Sequence, residues 1–360
     1  MENGITKRQS AALQGVAVWM LLYHHMYSQV TEYESIFPFL QADAVRRIAW
    51  FCKICVGIFA FVSGYGMYYS MERMPRERFF GRMRAEYRAV SVRILKLYGK
   101  LWLVILILMV YFLRILHSPV TVKTLLGNLT ALNPTFNGTW WYVEQYAKML
   151  LLLPLLDLFL THFDEPAEAG KKRLFYSAAA AVCLAVMAAG YLWLPALRNV
   201  LTAAEEGLRI SFLLTFAVGY LTARYRLYGR ADSLVRRTGG DAAAAGLAVV
   251  LIGVVIALRT ALAADPSYAR VDFVLTPLLI YGVLTLFSQV RPLESFFVWW
   301  GGHSTYIWLV HTFVDVSAFR PYVRLDLLCC LLTLVISAAA AVVLKMLESM
   351  PGRLLKRRRP

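Results

Sequence analysis

Runs of about 20 apolar residues recur from one end of this 360-residue chain to the other, and a helix of that length is what a hydrocarbon core of about 30 Å requires. Ten such segments can be marked, at about 11–30, 48–70, 97–116, 140–160, 174–195, 207–223, 242–263, 271–288, 303–319 and 325–347. They leave no room for a separate soluble domain. The composition agrees: 59% of residues are hydrophobic and 17% charged, well beyond the soluble average of roughly 45–50% apolar. The expected fold is all-α, a polytopic integral membrane protein of about ten transmembrane helices, with residues 1–360 forming a single membrane-embedded domain.

A net charge of +16 would suggest a nucleic-acid partner in a soluble chain. Here the cations sort by loop instead. With the N-terminus placed in the cytoplasm, most of the 38 Lys and Arg fall on inner segments: Lys7 and Arg8, the cluster from Arg73 to Lys100, Lys171 to Arg173, Arg224 to Arg237, Arg291, and the tail from Lys345 to Arg359. That is the positive-inside pattern for an even number of spans. It predicts a multi-pass protein of the cell membrane with both termini cytoplasmic, a lipid bilayer as its surroundings and no nucleic-acid partner. The first apolar stretch exceeds a signal-peptide core and is expected to stay attached.

Polar residues inside such segments are costly and tend to mark function. The first span, "ALQGVAVWMLLYHHMYSQ", carries His24 and His25. At about 100° per residue, Gln14 and His25 share a face some 16 Å apart along the axis, whereas His24 points elsewhere. The spacing is open to two explanations, interfacial histidines or a base facing a cavity. In "GGHSTYIWLVHTFVDVSAF", Ser304 and His311 share a face and Asp315 stands one turn beyond His311, where a carboxylate can orient an imidazole. Asp315 could equally just reach the outer interface. Glu144 has Lys148 four residues on, so it is a structural ion pair or a site carboxylate.

Arg93 and Lys96 share a helix face, either to grip phosphate with help from Arg88 or to snorkel at the inner interface. Gly64 and Gly66 flank Tyr65, marking close backbone approach or a broken helix end with free N–H groups. The Cys52-x-x-Cys55 spacing has no second pair to complete a metal site. All five cysteines are read as packing residues, and no metal is expected.

Taken in order, these segments resemble the acyltransferase 3 family of ten-span membrane enzymes. The likeness rests on "LQGVAVWMLLYHH", "FAFVSGY", the basic pair Arg93 and Lys96, "WWYVEQYAKMLLLLPLL" and "GGHSTYIWLVH". What the resemblance implies is O-acylation: an acyl group, usually acetyl, moves from acyl-CoA on the cytoplasmic side to a hydroxyl of a cell-envelope saccharide or lipid-linked saccharide. Acetyl-CoA would be a co-substrate. On this resemblance His25 and His311 match the family's histidines, with Asp315 and Glu144 as further catalytic candidates. Arg93, Lys96, Arg88, Gln14, Ser63 and Gly64 are the donor-binding candidates. Gln14 departs from the family, which usually has Arg or Lys there; a neutral amide cannot neutralise an anion. The alternative class is a polytopic transporter, or a catalytically silent relative that binds a lipid-linked saccharide.

Overall fold

The computed structural model describes residues 4–28, 41–74, 79–114, 120–162, 209–262, 268–314 and 326–357. Among them there is no strand. Twelve α-helices follow one another: α1 Lys7–Tyr27, α2 Ala42–Cys52, α3 Cys55–Glu72, α4 Phe79–Arg114, α5 Val122–Leu129, α6 Trp141–His162, α7 Ile210–Arg224, α8 Leu227–Leu262, α9 Asp272–Gln289, α10 Arg291–Gly301, α11 Ser304–Val310 and α12 Asp326–Arg357. The expected span at 174–195 lies outside the described residues.

Among the described residues, five stretches are long and apolar enough to cross a membrane: Ala42–Glu72, Phe79–Arg114, Leu227–Leu262, Asp272–Gln289 and Leu328–Met350. Ile210–Arg224 is a shorter apolar helix. At 21 and 22 residues, α1 and α6 have the length, but polar residues dilute them. Gln14 and the two histidines lie on α1, and Glu144, Lys148 and Asp157 on α6. Those two helices also help to line the central cavity.

Several boundaries differ from the sequence expectation for local reasons. The span expected at 48–70 is two helices, because the chain turns at Lys53–Ile54. The one expected at 97–116 starts far earlier, at Phe79. Residues 79–96 contain no proline and are rich in helix formers, so the basic segment continues the same helix. Between the eighth and ninth spans, where an inner loop was expected, α10 forms with a proline in its first turn and Glu294 nearby. The span expected at 303–319 is not one helix: α11 ends at Val310, a 3₁₀ turn covers His311–Phe313, and Val314 is extended. Asp315, expected one helical turn beyond His311, lies outside the described residues.

Small residues set the packing. A Cβ on Gly15 of α1 would collide with the carbonyl of Phe297 on α10, and one on Gly301 with the carbonyl of Ala11. Likewise Gly64 of α3 meets the Phe216 carbonyl of α7, and Gly219 meets that of Phe61. Without a hydrophobic drive between helices in lipid, such backbone contact is what holds them. α3 runs unbroken past Gly64, so the close-approach alternative describes that glycine. Gly64→Leu should therefore sharply reduce the folded yield from membranes, which fluorescence-detected size exclusion would read.

A buried polar cluster clamps α4, α6 and α7. Asp157 of α6 accepts hydrogen bonds from Arg82 at 2.6 Å and from the Tyr220 hydroxyl, with Arg224 at 3.6 Å, and Arg82 also meets Glu86 at 2.7 Å. Asp157 is 1% exposed, so removing its charge takes a buried counter-ion from both Arg82 and Arg224. Asp157→Ala is expected to lower stability by about 3–5 kcal/mol, measurable by thermal unfolding in detergent.

Candidate active site

The helices line a half-open cavity of about 320 Å³. The first, fourth and ninth expected spans all contribute, through α1, α6 and α11, joined by α3 and α4. Thr6 fixes the start of α1 by a reciprocal capping box with Gln9, and Ile5 N–H donates to the Tyr65 hydroxyl at 2.8 Å. These contacts set the register of α1 against α3. On α1 the cavity is lined by Gln14, Leu21 and His25, so the shared face read from their spacing is the face turned inward.

The two histidines of α1 part company. His24 Nδ1 contacts the Ala49 carbonyl at 2.8 Å, which ties its ring to α2. His25 lines the cavity, and its ring centroid lies 5.0 Å from that of His311. His311 is buried, and its Nδ1 lies 2.7 Å from the Trp308 carbonyl. A carbonyl only accepts, so a neutral His311 carries its proton on Nδ1 and leaves Nε2 as a free base. That Nε2 is enclosed and has no hydrogen-bond partner. The backbone of α11 thus holds the imidazole in one tautomer; Asp315 lies outside the described residues.

At the other end the lining is basic. Arg93 and Lys96 both face the cavity, and Arg93 donates to Ser70 Oγ at 3.0 Å. Lys100 joins them. It escaped the sequence reading although its spacings from Arg93 and Lys96, i+7 and i+4, put it on the same face. Ser63 of α3 also lines the cavity. Arg88 is exposed on α4 and is not among the lining residues. Glu144 pairs with Lys148 at 2.6 Å outside the lining, and Gly64 faces α7. Of the ten candidates, the cavity gathers Gln14, His25, Ser63, Arg93 and Lys96, with His311 against His25.

The lining is also aromatic and apolar: Trp141, Tyr142 and Tyr146 from α6, Trp308 from α11, and Val56 and Phe59 of α3. The segment before α6 is pinned to the His311 turn. Asn137 Nδ2 donates to Thr312 Oγ1 at 2.6 Å, and Trp140 Nε1 to the Leu309 carbonyl at 3.0 Å. Cys52, Cys55 and Cys329 are buried, and none of them is among the lining residues.

The described residues are all helical, with membrane-length helices around a cavity lined by cations and an imidazole, an architecture that fits a membrane protein. Residues 11–346 match the family described as an acyltransferase domain, acyltransferase 3, and the chain belongs to that family. Comparisons with curated proteins and with solved structures found no match.

Proposed function

We propose that this protein moves an acyl group, acetyl in the simplest case, from acyl-CoA to a hydroxyl of a cell-envelope saccharide or lipid-linked saccharide. The observation that carries the reading is the polarity of this cavity. Arg93, Lys96 and Lys100 line it together with Gln14, and His25 lies three helical turns from Gln14 along α1, about 16 Å at 1.5 Å per residue. CoA is a polyanion on a long flexible arm that ends in the thioester. Its phosphates suit the cations, and the thioester then reaches the histidines.

In this reading the chain crosses the membrane ten times with both termini in the cytoplasm, as the loop charges favour. The basic end of the cavity faces the cytosolic donor, and the acceptor approaches His25 from the far side. His25 takes the proton of the acceptor hydroxyl as its oxygen attacks the thioester carbonyl, the part a positioned imidazole plays in acyl transfer. His311, with Nε2 unpaired beside it, positions the acceptor or relays that proton. The neutral Gln14 contributes a hydrogen bond, and the lysines of α4 supply the charge.

The test is acetyl-CoA consumption by membranes containing the protein, with mass spectrometry of envelope glycans from cells with and without the gene. No donor consumption and unchanged glycans would overturn the proposal. Arg93→Ala and Lys96→Ala should each raise the donor KM about tenfold or more, since a charge-assisted contact contributes about 1.5–3 kcal/mol. The remaining dependence of KM on salt should flatten. Unchanged donor kinetics would return both residues to an interfacial role.

A further inference from the structure

One hydroxyl on the cavity wall has no use in the fold. Tyr142, in the first turn of α6, lines the cavity, and its Oη is enclosed without a hydrogen-bond partner. Two other lining hydroxyls are already committed: Thr139 donates to Asn137 Oδ1 at 2.8 Å, and Ser304 to the Gly301 carbonyl at 2.9 Å. An orphaned buried hydroxyl is a cost to folding, and phenylalanine would fill the same space without it. Its location is informative. The Tyr142 ring stands edge-on to Trp308, with centroids 5.8 Å apart. The Trp308 carbonyl holds His311, and His311 lies against His25. The unpartnered donor and the two imidazoles thus belong to one contiguous group.

We infer that Tyr142 is a catalytic residue whose Oη–H donates to the carbonyl oxygen of the bound thioester and stabilises the oxyanion formed there; the inference rests on the acyl-CoA reading above. As the acceptor hydroxyl adds, its oxygen forms a bond to the carbonyl carbon and its proton passes to His25. The carbonyl π pair moves onto the oxygen, where the phenol hydrogen bond strengthens. On collapse that pair re-forms the C=O bond, the C–S bond breaks, and the departing CoA thiolate takes the proton from His25. A phenol can only act this way if its proton is not committed elsewhere, and the Tyr142 proton is free.

The measurement is the full-length Tyr142→Phe protein in membranes, with acetyl-CoA as donor. Loss of one preorganised oxyanion donor lowers kcat by about 10²–10³-fold. The KM for acetyl-CoA should stay at the wild-type value, and the thermal midpoint should hold or rise, because only an unpaired hydroxyl is lost. A purely structural tyrosine would show none of this split. Wild-type kcat in Tyr142→Phe, or a loss confined to KM or to thermal stability, overturns the inference while the acyl-CoA reading stands. A wild-type protein that consumes no acyl-CoA overturns both.

Discussion

His25→Ala should abolish most acyl transfer, lowering turnover by about 10²–10⁴-fold, with folded yield and acyl-CoA binding retained. The imidazole lines the cavity and, among the described residues, makes no hydrogen bond like the one that holds His24. His24 is the opposite case. Its Nδ1 is tied to the Ala49 carbonyl at 2.8 Å, and His24→Ala loses about 1 kcal/mol with that hydrogen bond while leaving most turnover. The pair is a controlled comparison, since the residues are adjacent in sequence and their rings lie 5.2 Å apart. His25→Ala should lower donor consumption and leave thermal unfolding unchanged, and His24→Ala should lower the thermal midpoint and leave most donor consumption. A His25→Ala protein with near-normal turnover would remove the base from the mechanism, and a larger catalytic loss in His24→Ala would reverse the assignment of faces.

Helical periodicity explains why the inward face of α1 was legible. Gln14 and His25 are eleven residues apart on an unbroken helix, and nothing interrupts the 100° step between them. The basic face of α4 was legible on the same ground, although Lys100 completes it from a position that looked like the beginning of a span. The His311 region resisted because periodicity presumes a continuous helix. There the chain leaves the α-helix at Val310, and the imidazole is oriented by a backbone carbonyl, a group every residue carries and no sequence pattern reveals. Gly64 was ambiguous because a glycine permits both ligand access and helix contact. Its neighbour on α7 lies more than a hundred residues away, and only the packed fold brings them together. Tyr142 could not be singled out among the aromatics of "WWYVEQY", since what distinguishes it is the absence of a partner for its hydroxyl.

The same limit applies to the ion pair between α8 and α9, where the second large effect is expected. Arg259 and Asp272 are 0% and 1% exposed; Nε lies 2.6 Å from one carboxylate oxygen and Nη2 2.9 Å from the other. The guanidinium also donates to the Trp50 carbonyl at 3.1 Å, in the last turn of α2. Ala49, one residue earlier, accepts the contact from His24. One arginine therefore ties together α8, α9 and the helix against which the end of α1 is set. Arg259→Met leaves a carboxylate buried without its counter-ion and should cost about 3–5 kcal/mol, and Asp272→Leu should cost a similar amount by removing the buried carboxylate that balances the guanidinium charge. The double variant removes both charges and is expected to recover most of that loss, because an apolar pair of similar volume needs no desolvation. Thermal unfolding of the four proteins in the same detergent measures the coupling directly. Singles that cost less than about 1 kcal/mol would mean that water reaches the pair, as at exposed ion pairs, and the junction would then contribute little to holding α2 beside His24.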